Sequence, residues 1–397
     1  MGEWIRKYVK GDKLIWGIVI FLSIASLLSV YSATGFLAYK HQGGNTSYYM
    51  FKQLFSLSFG FGIIILVHHI SYKWIARFSL IALYVSIGLL AVTLVSGVNL
   101  NMASRWLTIP GIGITFQPSE MAKLALIVYV AKILAQFQKE EEPAHEAFKP
   151  IMFYVLIVAG LIFRENFSTA LLVVAVSVAM MFVGRVPFKY LAGTGLVVLG
   201  LVVLLLFLAP KVTFLPRAQT WASRVEQFMD PEKADKSLTY QSDQSKIAIA
   251  SGGLIGKGPG NSVQRNFIPH PYSDFIYAII AEEYGLLGPF LVLMAYVLLL
   301  GRIGVIVRAS NRTFPAFLAL GLGLMLTSQA FVNMGVAVGI FPVTGQPLPL
   351  VSLGTTSVLF TCMAFGMILG VSRHNIEQRD LEKSKATEAV ADSDGED

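Results

Sequence analysis

The feature that most constrains this chain is a series of long apolar runs. A helix of about 20 apolar residues crosses a bilayer core of ~30 Å. With 55% hydrophobic and 14% charged residues, the composition excludes an ordinary soluble protein. The sequence predicts an all-α polytopic membrane protein with about ten transmembrane helices, at residues 14–32, 51–67, 78–96, 121–137, 151–163, 167–183, 191–208, 275–300, 314–338 and 350–371.

The distribution of Lys and Arg predicts the orientation of these helices. Cations in short loops favour the cytoplasmic side, and they fall in alternate connections when both termini are cytoplasmic. The fifth segment is short, and the charge pattern is consistent only if it spans. This topology predicts a large extracytoplasmic loop, residues 210–273, between helices 7 and 8. The net charge of +7 is spread between apolar runs, which favours contact with an anionic membrane surface and not with nucleic acid.

The rest of the chain adds no second folded domain. Residues 1–374 are predicted to form a single transmembrane domain, and the acidic residues 375–397 a disordered cytoplasmic tail. The single cysteine, Cys362, excludes a disulfide within the chain. The histidines show no spacing typical of a metal site, so the sequence leaves the metal ligands unknown.

Polar residues mark the outer connection between the third and fourth helices. Pro118 suits the first turn of a helix, and Glu120 and Lys123 then lie three residues apart on one face, where they can pair. A helix-start carboxylate and a snorkelling lysine are the structural alternative. Arg105, beside Trp106, is likewise typical of an interfacial anchor.

A glycine-rich turn, SGGLIGKGPGN, contains Lys257. It lacks the first glycine and the final Ser or Thr of a nucleotide phosphate loop. Its backbone amides and Lys257 can still hold a phosphate, or the segment is a plain flexible loop.

Asp274 is predicted at the border of the eighth helix. Capping that helix is its structural alternative. A partly desolvated aspartate beside the constrained sequence Pro269-His270-Pro271 also suits a general base. A continuous helix would place Glu282 about 12 Å from Asp274 along its axis, too far for a paired-carboxylate hydrolase. Glu282 or Glu283 is therefore expected to support helix packing.

The last outer connection is rich in proline. Pro342, Pro347 and Pro349 exclude a regular helix, and irregular backbone at this depth is tolerated where it lines a cavity. The sequence predicts one polar cavity that opens outward.

These segments together resemble one family. SRWLTIPGIGITFQPSEMAK, WASRVEQFMDP, YQSDQSKIAIASGGLIGKG, PYSDFIYAIIAEEYGLLG and FVNMGVAVGIFPVTGQPLPLVSLGTTS are similar to motifs of the shape, elongation, division and sporulation proteins, the peptidoglycan polymerases. The resemblance implies a ten-helix bundle. It also implies glycosyl transfer from lipid II into β-1,4 glycan, with release of undecaprenyl pyrophosphate.

The resemblance also implies functional residues. Asp274 matches the family's essential aspartate, the predicted catalytic residue, and the predicted substrate-binding residues are Arg105, Glu120, Lys123, Lys257, Arg224 and Gln244. The predicted supporting residues are Glu282, Glu283, Pro347 and Ser352. Two motifs depart from the family pattern, Glu165-Asn166-Phe167-Ser168-Thr169 and Thr355-Thr356-Ser357. The first is more similar to the division branch, FtsW, than to the elongation branch, RodA, which is the alternative.

The implied partners are lipid II, a class B penicillin-binding protein of the FtsI type and other division proteins. The implied location is the bacterial inner membrane at the division septum. No cofactor is certain, although a divalent cation, Mg²⁺ or Mn²⁺, can assist the departure of pyrophosphate. A lipid II flippase and a non-catalytic scaffold of the division machinery are the alternative functions. A flippase predicts polar residues through the whole bilayer depth, whereas here they concentrate on the outer side.

Overall fold

The computed structural model describes residues 10–393 except 42, 97, 101–102, 109–114, 139–143, 165, 209–215 and 231–235. These residues form a helical bundle. The helices are α1 (Lys13–Ala33), α2 (Gly35–His41), α3 (Thr46–His69), α4 (Tyr72–Ser96), α5 (Pro118–Phe137), α6 (His145–Phe163), α7 (Phe167–Val183), α8 (Phe188–Leu208), α9 (Pro216–Met229), α10 (Lys236–Gly252), α11 (Ile276–Tyr284), α12 (Leu287–Arg308), α13 (Thr313–Ala337) and α14 (Thr355–Ser393).

Most of the long helices are suited to a membrane. In the described part of the chain, eight are long and apolar enough to cross one: α1, α3, α4, α6, α8, α12, α13 and α14. The helix α7 is apolar but shorter, and α5 carries Glu120, Lys123 and Lys132. Each predicted span except the eighth therefore overlaps one helix, including the short fifth one, while the number that cross a bilayer stays a prediction.

The eighth predicted span is not one helix. The structure breaks it at Gly285, which adopts φ +61, into α11 and α12. The prediction of a continuous helix over 275–300 is therefore wrong. The nine residues of α11 extend about 14 Å, less than a bilayer core, whereas α12 alone has the length of a span.

The outer connections contain more regular structure than the sequence predicts. Between α4 and α5 lies a three-stranded antiparallel sheet of β1 (Val98–Leu100), β2 (Ala103–Thr108) and β3 (Thr115–Phe116). An all-α fold omits these strands, whose β-branched and aromatic residues favour extended backbone. The predicted loop 210–273 contains α9 and α10, so it is not a loop throughout.

The first and last helices meet at one end of the bundle. Asp12 caps α1 by accepting hydrogen bonds from the Leu14 and Ile15 amides, at 2.9 and 3.1 Å, and it also pairs with Arg302 at the end of α12. Lys10 Nζ lies 3.5 Å from Glu377 Oε1 on α14. The residues before α1 therefore lie beside α14 at Glu377.

The helix α14 continues to Ser393, which differs from the predicted disordered tail. Asn311 Nδ2 donates to Glu382 Oε1 at 3.2 Å, and Asn375 Nδ2 donates to Ile306 O at 3.0 Å. Alternating acidic and basic residues after 375 also favour helix through pairs three or four residues apart. The division of the chain at residue 374 stays a prediction.

Two helices form the centre of the bundle. The side chains of α5 are buried along nearly its whole length, and α13 is buried over most of its membrane-spanning part. By contrast, α8 exposes most of its apolar side chains, including Leu196, Val197 and Leu201. Polar groups on α5 and α13 are thus enclosed by protein, where they need internal hydrogen-bond partners.

Candidate active site

Asp274 lies in the turn immediately before α11. The N-cap of α11 is Phe275, with no side-chain capping bond, so the interpretation of Asp274 as a helix cap is wrong. Ser273 Oγ donates to Asp274 Oδ1 at 3.0 Å, and the Asp274 residue is half-buried. The carboxylate is therefore partly accessible at the start of α11.

Hydrogen bonds to backbone carbonyls fix the Asp274 turn. Leu353 N donates to Tyr272 O at 2.9 Å, and Ser352 Oγ donates to Ser273 O at 2.6 Å. Asn333 Nδ2 donates to Asp274 O at 2.8 Å. Consecutive residues of the turn are thus attached to α13 and to the segment before α14, and Ser352 has the supporting position that was predicted.

The proline-rich segment after α13, residues 338–354, borders Asp274. It has no regular secondary structure, as the sequence predicts. A Cβ atom placed on Gly345 would lie 3.7 Å from Asp274 Oδ2. Asn333 Nδ2 donates to Gln346 O at 2.8 Å, and Gln329 Nε2 donates to Pro347 O at 2.9 Å. The irregular backbone obtains its hydrogen bonds from amide side chains of α13.

A buried polar chain connects α5 to this segment. Pro118 occupies the first turn of α5, as predicted. Lys123 Nζ lies 2.8 Å from Glu120 Oε1 and donates to Gln329 Oε1 at 3.1 Å. The Lys123 and Glu120 side chains are only 3% and 9% exposed. The predicted pair forms, and Gln329 extends it to Pro347.

Three other predicted substrate-binding residues have different positions. Arg105 lies on β2, but its side chain is outside the described residues. Arg224 Nη1 on α9 donates to Val343 O at 3.0 Å, so it reaches the same irregular segment. Gln244 is half-buried on α10, next to Ser245, whose Oγ donates to Ala337 O at 2.8 Å. The outer helices α9 and α10 thus approach the end of α13.

Two glutamates of α11 bond to the segment that connects α10 to α11. Glu282 pairs with Lys257, at 2.6 Å, and accepts from Ser262 Oγ and from the amides of Val263 and Gln264, at 3.1 and 3.2 Å. Burial opposes its ionisation, but these donors together keep the pKa of Glu282 below its usual value. Glu282 therefore carries a charge that the protein itself compensates.

Glu283 joins a different set of residues. Its Oε1 accepts a short hydrogen bond from Ser32 Oγ, near the end of α1, and one from Ser262 N at 3.3 Å. Arg265 Nη1 also donates to Ser32 Oγ at 3.0 Å. Burial raises the pKa of Glu283 above its usual value. Both glutamates make packing contacts, whereas helical spacing alone indicated one of the two and the family resemblance implied both.

In the glycine-rich turn, the groups predicted to hold a phosphate bond other parts of the protein. Lys257 N donates to Glu282 O at 3.0 Å, and Gly258 N donates to Glu283 O at 2.9 Å. These amides satisfy carbonyls near the end of α11, and the Lys257 ammonium is paired with Glu282. Neither group is available as a ready phosphate ligand.

Several site residues escaped the sequence argument. Gln329 and Asn333 lie four residues apart on α13 and contact the segment beside Asp274. The sequence feature that could have identified them is a pair of polar side chains at helical spacing within an apolar run. Tyr272 is another site residue that the sequence did not reveal. Burial is the largest cause that raises the pKa of Tyr272, followed by the charges of Tyr49 and Asp274, so its hydroxyl stays protonated. His270 Nδ1 lies 3.0 Å from that hydroxyl.

The described residues contain no group of three or more His, Cys, Asp or Glu side chains that could hold a metal ion. The site thus offers one carboxylate, Asp274, beside amide side chains and a buried ion pair. Such an arrangement suits proton transfer at a polar substrate.

The sequence matches a known family over nearly its whole length. The model of the FtsW, RodA and SpoVE family, described as cell cycle protein, matches residues 12–377. The chain is 31% identical to a probable peptidoglycan glycosyltransferase FtsW of Trichlorobacter lovleyi, over 91% of this chain and 93% of that protein. It is 33% identical to the protein so named from Coxiella burnetii, over 90% and 95% of the two chains.

Solved structures are also similar to this chain over nearly its whole length. One is a chain of a peptidoglycan synthase complex, described as coordinating polymerization and crosslinking; it is 28% identical, with a TM-score of 0.70 over 92% of this chain and 98% of that one. Another is the rod shape determining protein RodA of Thermus thermophilus, 25% identical, with a TM-score of 0.66 over 93% and 99% of the two chains.

Proposed function

The chain belongs to the FtsW, RodA and SpoVE family of cell cycle proteins, and we propose that it is a peptidoglycan glycosyltransferase. It is a multi-pass membrane protein. The observation that carries the proposal is the position of Asp274, whose partly accessible carboxylate borders the irregular segment that Gln329, Asn333 and Arg224 also reach.

The proposed reaction is the polymerisation of lipid II into β-1,4 glycan strands. Asp274 acts as general base and takes the proton of a sugar 4-hydroxyl. That oxygen attacks the anomeric carbon of the α-linked donor, the bond to undecaprenyl pyrophosphate breaks, and the configuration inverts to β. The fixed turn around Asp274 supports this role, because a base must be held within hydrogen-bond reach of the attacking hydroxyl.

The leaving pyrophosphate needs positive charge near the bond that breaks. Arg105, Arg224 and Lys123 are the proposed sources, whereas Lys257 pairs with Glu282 in the structure. The described side chains do not form a metal-binding set, so no step is assigned to a metal. A Mg²⁺ or Mn²⁺ ion held by the pyrophosphate oxygens themselves stays part of the proposal.

The proposed setting is septal cell-wall synthesis in the bacterial inner membrane, with both termini in the cytoplasm. A class B penicillin-binding protein of the FtsI type and other division proteins are the proposed partners. The relatives described above are named FtsW, which supports the division branch. An elongation polymerase of the RodA type is the alternative within the family, supported by the similarity to RodA of Thermus thermophilus.

A lipid II flippase is the second candidate function, with a non-catalytic scaffold as the third. A flippase needs polar groups at every depth of the membrane. The candidate site instead concentrates its polar groups at one end of α5 and α13, which favours a polymerase.

The deciding experiment is polymerisation of lipid II by the purified protein with its transpeptidase partner. Asp274→Asn preserves the size of the side chain and removes its basicity, so glycan synthesis should fall at least 100-fold. Thermal unfolding in detergent should be unchanged. Asp243→Asn, on the exposed face of α10, is the matched control and should retain activity. Undiminished turnover by Asp274→Asn would refute the assignment of Asp274 as base. Lipid flipping without polymerisation by the wild type would favour the transporter.

A further inference from the structure

An amide side chain beside Asp274 is buried without a hydrogen-bond partner. Gln346 is 3% exposed, and among the described residues neither its Oε1 nor its Nε2 atom has a partner. Asn333 is 1% exposed, and its Oδ1 atom is also unpartnered. Buried polar atoms of folded proteins are nearly always hydrogen-bonded, so an unpaired group calls for a specific explanation.

Contacts place these atoms near the proposed base. Asn333 Nδ2 donates to both Asp274 O and Gln346 O, each at 2.8 Å. Because only the nitrogen of the amide can donate, the unpartnered atom of Asn333 is an acceptor. Gln346 directly follows Gly345, the residue that borders Asp274 Oδ2. The unpartnered atoms therefore belong to residues in contact with, or adjacent to, the Asp274 turn.

The chemistry of the three atoms selects a ligand class. They are two acceptors, Gln346 Oε1 and Asn333 Oδ1, and one donor, Gln346 Nε2. A phosphate would be repelled by the two oxygens, and a metal ion would leave the donor unpaired. The acetamido N–H of a sugar can donate to Gln346 Oε1, and a neighbouring sugar hydroxyl oxygen can accept from Gln346 Nε2. A sugar hydroxyl supplies a donor for Asn333.

We infer that Gln346 and Asn333 form a subsite for the N-acetyl group of the sugar whose 4-hydroxyl Asp274 deprotonates. This inference rests on the proposed function, which makes that sugar the terminal N-acetylated unit of lipid II or of the growing glycan. Turning the Gln346 amide toward the entering sugar breaks no hydrogen bond of the protein. Gln346 then determines specificity for N-acetylated sugars.

The first test compares Gln346→Leu with the wild type in polymerisation of lipid II. Leucine fills a similar volume without the amide, so the KM for lipid II should rise about 10-fold or more. Thermal stability should be equal or higher, since an unpaired buried amide is removed. Gln138→Leu is the matched control: its Oε1 is also buried and unpartnered, but it lies beyond the far end of α5 and should leave KM unchanged.

The second test uses a lipid II analogue in which the terminal acetamido group is replaced by an acetoxy group, which retains the carbonyl and lacks the N–H. The wild type should use the analogue about 10-fold less well than lipid II, and Gln346→Leu should use both equally. This loss of discrimination is not expected of a residue that only supports the fold.

Two outcomes overturn the inference while the proposed function stands. One is an unchanged KM of Gln346→Leu with increased stability, which would make the amide a packing defect or a water site. The other is equal discrimination against the analogue by wild type and variant. Absence of glycan synthesis by the wild type would instead refute the proposed function, and this inference with it.

Discussion

Asn333 holds Asp274 against the irregular segment that follows α13. Its Nδ2 atom donates to Asp274 O and to Gln346 O, each at 2.8 Å. The bonds go to backbone carbonyls, so Asn333 fixes the position of the turn without bonding the Asp274 carboxylate itself. The Asn333 side chain therefore bonds both the Asp274 turn and the irregular segment.

We therefore expect Asn333→Ala to reduce polymerisation more than it reduces stability. Losing two buried hydrogen bonds should lower the free energy of unfolding by about 1–3 kcal/mol, while kcat should fall at least 10-fold because the base is displaced. The control is Asn375→Ala, which removes bonds to Ile306 O and Ser310 Oγ near the opposite end. Equal losses of kcat in the two variants would contradict the positioning role.

The buried pair of Glu120 and Lys123 should separate stability from function. Either Glu120→Gln or Lys123→Met leaves one charge unpaired in the core, at a cost of about 3–5 kcal/mol. The double variant removes both charges, so much of the stability should return. Activity should not return if the pair serves the pyrophosphate. Thermal unfolding and lipid II turnover of all three variants test this, and a fully active double variant would show that the pair is purely structural.

Substitution of Lys257 tests whether this residue serves as the partner of Glu282 or binds the substrate. Lys257→Met should make the segment between α10 and α11 exchange amide hydrogens faster, because Glu282 loses its charged partner. The KM for lipid II should change less than about twofold. Glu282→Gln should have a larger effect on exchange, since the buried carboxylate also accepts from Ser262, Val263 and Gln264. A KM raised 10-fold by Lys257→Met alone would restore the phosphate-binding role.

Gly256 and Gly285 lie where the segment between α10 and α11 passes close to the end of α11. A Cβ atom on Gly256 would lie 2.3 Å from Glu283 O, and one on Gly285 would lie 2.4 Å from Leu254 O. Alanine at either position should prevent stable folding, as judged by yield and thermal unfolding. Gly253→Ala is the control: Gly253 also has positive φ, +56, but no atom lies within 4 Å of the added carbon. It should cost about 1 kcal/mol, and a similarly mild effect at Gly256 would contradict this packing.

The sequence alone established the parts of the fold that depend on local composition. Apolar length located the long apolar helices, including the one at the short fifth segment, and the prolines after α13 predicted irregular backbone. Helical spacing was sufficient for the Glu120–Lys123 pair, because residues three apart on a helix are always neighbours. The same local logic extended one helix across Gly285, which was wrong, and the alternative of a capping role for Asp274 fails because Phe275 is the N-cap.

Only the tertiary structure decided which polar groups satisfy one another. From the sequence, the partner of Lys257 in the glycine-rich turn can be a phosphate or a carboxylate of the protein. In the structure Lys257 pairs with Glu282, a residue of the helix α11 that packs against the turn. The sequence assigned no role to Asn333 or Gln346, and only the packing of α13 and of the segment after it places these residues beside the Asp274 turn. A buried hydrogen-bonding group accepts whichever partner packing brings within about 3 Å, and sequence spacing does not determine that partner when it comes from a distant helix.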